Sequence, residues 1–532
     1  MLAPCVAAAC CRVHETANLC ILDGFLVRNP GVSKAKQASP NQGGSKLPHS
    51  KDGATIVTRP LRVIPRRDFL FQAGEGISGL ALAWLLGRDG LLAADTKSPF
   101  AQKSPHFKPR AKAVISLFMS GGVSHIDTFD PKPALDRYHG QPLPVEGEIQ
   151  VQQGYPGPIM RSPYKFKRCG KSGIEVSELF PHMATCVDDF ALIRSAMGRS
   201  NDHSISHFEW NTGALLPGFP SLGSWVTYGL GSENQNLPAF VVIYDQKGGP
   251  YNGPNNWSAG YLPAAYQATV FRSSGDPILD LRPPSSYLAP EQQRARLDLL
   301  AQLNQQHEAQ HPGSSEFAAR ISSYELAYRM QRYAPEAVDL GKETEATKRL
   351  YGLDHAVTEP FGKQCLVARR LIERGVRFVQ LWSGAYINSN VDTWDAHDSI
   401  VDNHGQHALE VDKPIAGLMA DLKQRGLLDS TLVIWHTEFG RMPISQRGIG
   451  RDHNPGAMSL WMAGAGIRGG QVIGVSDEFG YKAIEQPITV HDLHATMLHL
   501  LGLDHKRLTY FFNGRNMRLT DVHGELIPQI TA

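Results

Sequence analysis

Ala113-Val114-Ile115-Ser116-Leu117-Phe118-Met119 is apolar with one interruption and stops at Ser120-Gly121-Gly122. A strand with one wet face alternates polar and apolar residues. A run of about seven residues that does not alternate suits a strand buried on both faces, as in a parallel sheet. Similar runs occur at Phe190-Ala191-Leu192-Ile193, Ala239 to Ile243, Val376 to Leu381, Thr431 to Trp435 and Ser459 to Ala463. Helical patterns separate them at Glu178 to Asp188, His203 to Gly213, His407 to Gln424 and His491 to Leu501, with Asp202 standing where an N-cap belongs. Glu291 to Leu350 reads as a helical insertion, broken at Pro312-Gly313 and again at Pro335. Strands alternating with helices predict a single α/β domain of roughly 420 residues.

Composition narrows the class of partner. The chain of 532 residues is 42% hydrophobic and 20% charged, with a formal net charge of +2. Those values describe a globular protein, and no basic face of the kind nucleic acid requires stands out. Four of the seven cysteines (Cys5, Cys10, Cys11, Cys20) lie in the first twenty residues. None forms a Cys-x-x-Cys pair, which implies neither a disulfide framework nor a cysteine-only zinc site.

Pro65-Arg66-Arg67-Asp68-Phe69-Leu70 is a twin-arginine pattern, followed by the apolar run Ile77 to Leu86 and small residues at Ala93-Ala94. The run is shorter than the roughly 20 residues of a membrane span. That order of features builds a cleaved bacterial export signal. The expected map is residues 1–60 disordered or mis-assigned, 61–95 signal, 96–111 linker and 112–530 the folded domain, with its helical insertion at about 285–350. Translation is expected to start nearer Leu61 or Val63, through a non-Met codon. The mature protein would then be periplasmic or secreted, handed over by the twin-arginine machinery and without an integral membrane span.

Carboxylates and imidazoles gather just past the strand ends, where an open α/β sheet places its ligand crevice. Trp394-Asp395-Ala396-His397 is followed by His404, Glu438 and His453. Asp395 and His397, two apart on an extended segment, point to the same side. Two histidines and a carboxylate with an open fourth position form a known catalytic zinc arrangement. The bland reading is a long polar surface loop, weaker for the cluster than for any one residue.

Leu427 to Gly440 resembles the signature of sulfatases and alkaline phosphatases, and Thr489 to Leu498 resembles a helix of the same superfamily. Glu438-Phe439-Gly440-Arg441, Gly450-Arg451-Asp452-His453 and Trp394 to His397 together resemble a narrower group, the twin-arginine-exported domain-of-unknown-function 1501 family. The resemblance implies an alkaline-phosphatase-like three-layer sandwich with a mostly parallel central sheet. It implies a divalent metal, zinc first, with calcium, magnesium and manganese left open. One metal would be held by Asp392 or Asp395, His397 and His453, with His404 as a further ligand. The second site of the superfamily is altered. Its first-strand Asp falls on Gly121, with His125 and Asp127 nearby, and its Asp-His pair is Glu438-Phe439. The nucleophile position falls on His203, which could serve as nucleophile, base or ligand. Ser204 takes that place if the register slips by one; the bland reading has Asp202 and Ser204 only capping the helix. Arg441 and Arg451 are cations able to hold an oxyanion, or surface salt bridges. Gly121-Gly122 lets backbone approach a ligand, or merely turns the chain. No cysteine stands in the Cys-x-Pro-x-Arg motif that formylglycine sulfatases require.

The activity implied is metal-dependent hydrolysis of phosphate or sulfate esters, on a small molecule or a polysaccharide. A member of the same fold that binds metal or glycan without turnover is the alternative, and a partner subunit of a larger exported assembly is a third, weaker one.

Overall fold

The computed structural model describes residues 99–531, apart from 146, 148, 150, 153, 273–277, 280, 282–289, 311–314 and 388–389. The export signal and the residues before it lie outside the described residues, as does the expected break at Pro312-Gly313.

Nine strands form one sheet: β1 (Ala113–Met119), β2 (Ala191–Met197), β3 (Phe240–Ile243), β4 (Thr269–Val270), β5 (Phe378–Ser383), β6 (Thr431–His436), β7 (Met458–Gly464), β8 (Gln471–Ile473) and β9 (Ile488–Thr489). Their order is β8-β2-β7-β6-β1-β5-β3-β4, with β9 also paired to β2. Every pairing is parallel except those of β7, which runs antiparallel to both β6 and β2. β1 sits near the middle in register with β5 and β6, and all seven of its residues are buried.

Side chains of β1 alternate between two apolar layers. Ile115, Leu117 and Met119 join Val379, Leu381, Val433 and Trp435 against helices α5 (Glu359–Glu373) and α6 (Ile400–Gln424). Val114 and Phe118 join Trp382 and Ile434 against α2 (Leu222–Leu230) and α7 (Val490–Leu500). The fold is therefore a three-layer α/β sandwich with a mostly parallel central sheet. The remaining long helices are α1 (His203–Thr212) and the pair α3 (Pro290–Gln310) and α4 (Ser315–Val338). Residues ahead of β1 pack on the domain: Phe100 is buried, and the N–H groups of Lys103 and Ala111 donate to Leu230 and Leu500 carbonyls at 2.9 and 2.8 Å.

Three local expectations need correction. Glu178 to Asp188 is not a helix; a 3₁₀ turn begins only at Met183. Pro181 disfavours helical backbone at Phe180, and the next two N–H groups, of His182 and Met183, are taken by the Asp412 carboxylate. Pro335 does not break α4, which runs through it to Val338. Ala334 and Ala337 are fully buried there, and Arg370 bonds the carbonyls of Glu336 and Ala337, which outweighs the one helical hydrogen bond that proline removes. α6 starts at Ile400 rather than His407, capped by Ser399 on the N–H of Asp402, so His404 belongs to a helix and not to the loop before it.

Candidate metal centre

β1, β5 and β6 run parallel and present their C-terminal ends to one edge of the sheet. Two residues past the end of β1 stands Gly121, whose φ of +122° suits glycine, and a Cβ there would lie 2.4 Å from the backbone nitrogen of Trp394. Absence of a side chain thus lets the segment Trp394–His397 lie directly on the strand end, tied by the Trp394 N–H to the Ser120 carbonyl at 2.9 Å. Arg441, wholly buried, fixes the same junction. Its guanidinium donates to the carbonyls of Gly122 (2.7 Å), Arg451 (3.0 Å) and Gly121, and to Asp395 Oδ1 at 2.7 Å.

Three imidazoles converge on Asp395. His203, the first residue of α1 after the Asp202 cap, places Nε2 3.3 Å from Oδ2. His397 and His453 place Nε2 3.0 and 3.1 Å from Oδ1. Each ring turns its other nitrogen to an oxygen acceptor: His203 Nδ1 to Glu438 Oε1 at 2.7 Å, His397 Nδ1 to Gln446 Oε1 at 2.5 Å, and His453 Nδ1 to the Asn201 carbonyl at 2.6 Å. An imidazole that gives its Nδ1 proton to an oxygen keeps the Nε2 lone pair for a metal, and partners of this kind orient metal-binding histidines. The Nε2 atoms of His203 and His397 are buried without an aligned hydrogen bond despite their nearness to Asp395. Imidazole nitrogens and carboxylate oxygens gathered this closely have the donor chemistry of a site for a divalent cation of the zinc type, in two groups of three that share His453. Ligand atoms of His203, Asp395 and His453 all lie within 4.8 Å of one another, as do those of His397, Asp452 and His453.

The electrostatics agree. Burial opposes ionisation of Asp395, but Arg441 and the three imidazoles hold its carboxyl far below the usual range. Glu438 is likewise buried and kept ionised by His207 and His203. Burial would depress His203, yet the Asp395 and Glu438 carboxylates on either side raise it to about 9. His453 falls to about 4, chiefly by burial. Without a metal, His203 is an imidazolium held between two carboxylates, so a cation already occupies the charge slot.

Aromatic rings wall the cluster. Tyr251 stacks on His203 at 5.0 Å with rings 3° from parallel, and Tyr386 stacks on Tyr251 at 4.2 Å. Phe439 lies 4.9 Å from the His203 ring and 4.4 Å from that of His453.

Of the residues singled out in the sequence, His203, His397 and His453 surround Asp395, with Glu438 and Arg441 bonded to this group. The others do not. Asp392 pairs with Lys247 at 2.5 Å. His404, fully buried, accepts the Ser124 N–H on Nε2 at 2.9 Å, which uses the lone pair a metal would need. Arg451 is wholly buried and binds Asp127 at 2.7 Å together with the carbonyls of Met442 and Met160, leaving neither partner for substrate or a second metal. His125 Nε2 lies 2.8 Å from the Gly480 carbonyl. The N–H groups of Gly121 and Gly122 go to Glu438 and Thr437, so they form no oxyanion hole. Glu438 Oε1 takes both His203 Nδ1 and the Gly121 N–H, and Oε2 accepts from Thr437, so both of its oxygens are engaged inside the protein. Ser204 makes no hydrogen bond to the cluster; its carbonyl accepts from Asn252 at 2.7 Å. Gln446, Asn201, Tyr251 and His207 were not anticipated. Only His207, four residues beyond His203 on the same helix face, had a readable signal.

A family model described as "Protein of unknown function (DUF1501)" matches residues 111–531. No curated protein matches the chain significantly. Solved structures of similar outline include a lipoteichoic acid synthase from Listeria monocytogenes (9% identity, 79% of this chain and 78% of that one, TM-score 0.34). A sulfatase from Pseudoalteromonas sp. (13% identity, 83% and 72%, TM-score 0.32) and a phosphonate monoester hydrolase from Silicibacter pomeroyi (12%, 66% and 72%, TM-score 0.33) are similar to it at the same level.

Proposed function

The chain belongs to the DUF1501 family, and we propose that it is an exported metal-dependent hydrolase of phosphate or sulfate esters. The observation that carries this reading is the convergence of three Nε2 atoms on Asp395 with every Nδ1 already engaged. His203, His397, His453 and Asp395 would hold the ion. Bound there, a divalent ion supplies Lewis acidity toward an ester oxygen and lowers the pKa of water.

The protein's own groups have defined tasks. Glu438 fixes the ring of His203, and Arg441 fixes Asp395 while offsetting its charge. Tyr251 and Phe439 keep the imidazole faces dry. Water is the attacking group in this reading, since among the described residues Ser204 makes no hydrogen bond to the cluster. Asp127, taken by Arg451, and Phe439, in place of a histidine, favour one ion over a two-metal clamp. The same departures are what a binding protein without turnover would carry, and that is the second reading.

Export rests on Arg66-Arg67 and the apolar run after it. Among the described residues no helix is long and apolar enough to cross a membrane.

The test is metal analysis of the purified protein beside a panel of phosphate and sulfate esters. His397→Ala and His453→Ala should each lose both bound metal and turnover. Turnover that persists in chelated, metal-free protein refutes the hydrolase reading, whereas metal binding without turnover on any ester supports the second.

A further inference from the structure

A cleft of about 1040 Å³ opens beside the metal centre and belongs to none of the groups described so far. Its wall carries Lys132, His139, Arg161 and Lys165 against one carboxylate, Asp136, and it includes the rings of Tyr164 and Phe166. Lys132 is engaged by Asp130 at 3.0 Å. Arg161 and Lys165 are exposed and form no ion pair with the described residues. Tyr164 is held in place, its hydroxyl donating to the carbonyls of Ile400 or Val401 at 3.2 and 3.1 Å.

One hairpin separates this cleft from the ion ligands. Gly448 and Ile449 at its tip line the cleft, while Gln446 at its base bonds His397 Nδ1. The hairpin is clamped to the ligand segment by Ile400 N–H to the Ile449 carbonyl (3.0 Å) and Arg451 N–H to the Ala396 carbonyl (2.9 Å). Gly450 lies so close that a Cβ there would stand 1.9 Å from the His397 carbonyl oxygen.

We propose that this cleft binds an anionic polysaccharide, with Arg161 and Lys165 taking its sulfate or carboxylate groups and the Tyr164 and Phe166 rings facing its sugar units. A guanidinium that forms no ion pair among the described residues suits a bidentate oxyanion. Aromatic residues alternating with cations along one wall, the Tyr164 ring held by its hydroxyl, suit a ring-bearing polymer better than a small ion. Nucleic acid is disfavoured, since it requires a basic face and successive stacking platforms, and here the net charge is only +2. The assignment rests on the hydrolase reading only in calling the polymer a substrate; binding stands apart from turnover.

The experiment is affinity electrophoresis of chelator-treated full-length protein in gels containing dextran sulfate, neutral dextran or a single-stranded DNA oligonucleotide. Dextran sulfate should retard the protein, less so as salt is added, and neutral dextran should not. The double variant Arg161→Ala/Lys165→Ala should bind dextran sulfate at least tenfold more weakly. The charge-preserving Arg161→Lys/Lys165→Arg protein should retain binding, which guards against misfolding as the cause of loss. Equal retardation of wild type and alanine variant overturns the proposal, as does equal retardation by neutral dextran or retardation by DNA as strong as by dextran sulfate. Dextran sulfate binding that depends on Arg161 and Lys165, in a protein that hydrolyses no ester, would uphold the cleft and reject the hydrolase.

Discussion

On the proposed reading, an ion entering this centre must displace a proton. His203 is protonated in the metal-free protein up to a pH of about 9, because burial is outweighed by Asp395 and Glu438 on either side. Its Nε2 cannot bind metal while it carries that proton, so each ion bound should release one. Raising the pH removes the competitor. Apparent affinity should therefore rise about tenfold per pH unit and level off near the pKa of about 9. At pH 7 the proton is about two pH units from release, which weakens binding roughly a hundredfold, or about 2.7 kcal/mol. His453 is already neutral above about 4 and contributes nothing in this range. Calorimetric zinc titration at pH 7, in buffers of differing ionisation enthalpy, counts the protons, and a series from pH 6.5 to 8 gives the slope. His203→Ala should bind more weakly with no slope. Zinc binding by the wild-type protein that is flat across the series and releases no proton would refute the reasoning.

Burial holds His404, His436 and His494 at about 3, well below their unfolded value. The unfolded chain therefore takes up more protons as the pH drops, and stability present above about 6.5 is lost below it, at about 1.4 kcal/mol per pH unit for each ring. Against a total of roughly 5–15 kcal/mol, the metal-free domain should unfold by about pH 4–5; tryptophan fluorescence that stays native at pH 3.5 would contradict this. Arg451→Met should strand the buried Asp127 carboxylate and cost about 3–5 kcal/mol in urea unfolding, with metal stoichiometry unchanged; an unaltered urea midpoint with a raised KM would instead make Arg451 a substrate ligand. Gly121→Ala should push the 394–397 segment off the strand end and weaken zinc binding at least tenfold, whereas Gly140→Ala, with φ also positive but nothing within 4 Å of its Cβ, should leave it unchanged.

The parallel sheet was legible because burial on both faces leaves an unalternating apolar signature, and β1, β5 and β6 carry it. The expected gathering of Asp395, His397, His404, Glu438 and His453 rested on strand-end position, and the place of His203 on motif resemblance, since their separations in sequence say nothing of distance in space. What the sequence could not reveal was the division of labour among charged residues beside the ligands. Arg451, Asp127 and His404 sit in the same motifs as the ligands, yet each meets its demand inside the protein, as a buried ion pair or a hydrogen bond to backbone. The reason is physical. A buried carboxylate such as Asp127 or Glu438 needs a counter-cation or oriented donors before it can be tolerated at all, so a cluster of candidate ligands draws supporting charges of the same residue types around it. Chemical type alone therefore marks the neighbourhood of the site. Which atoms remain free is settled by the hydrogen-bond partners of each group, and here those partners leave three ring nitrogens facing one carboxylate.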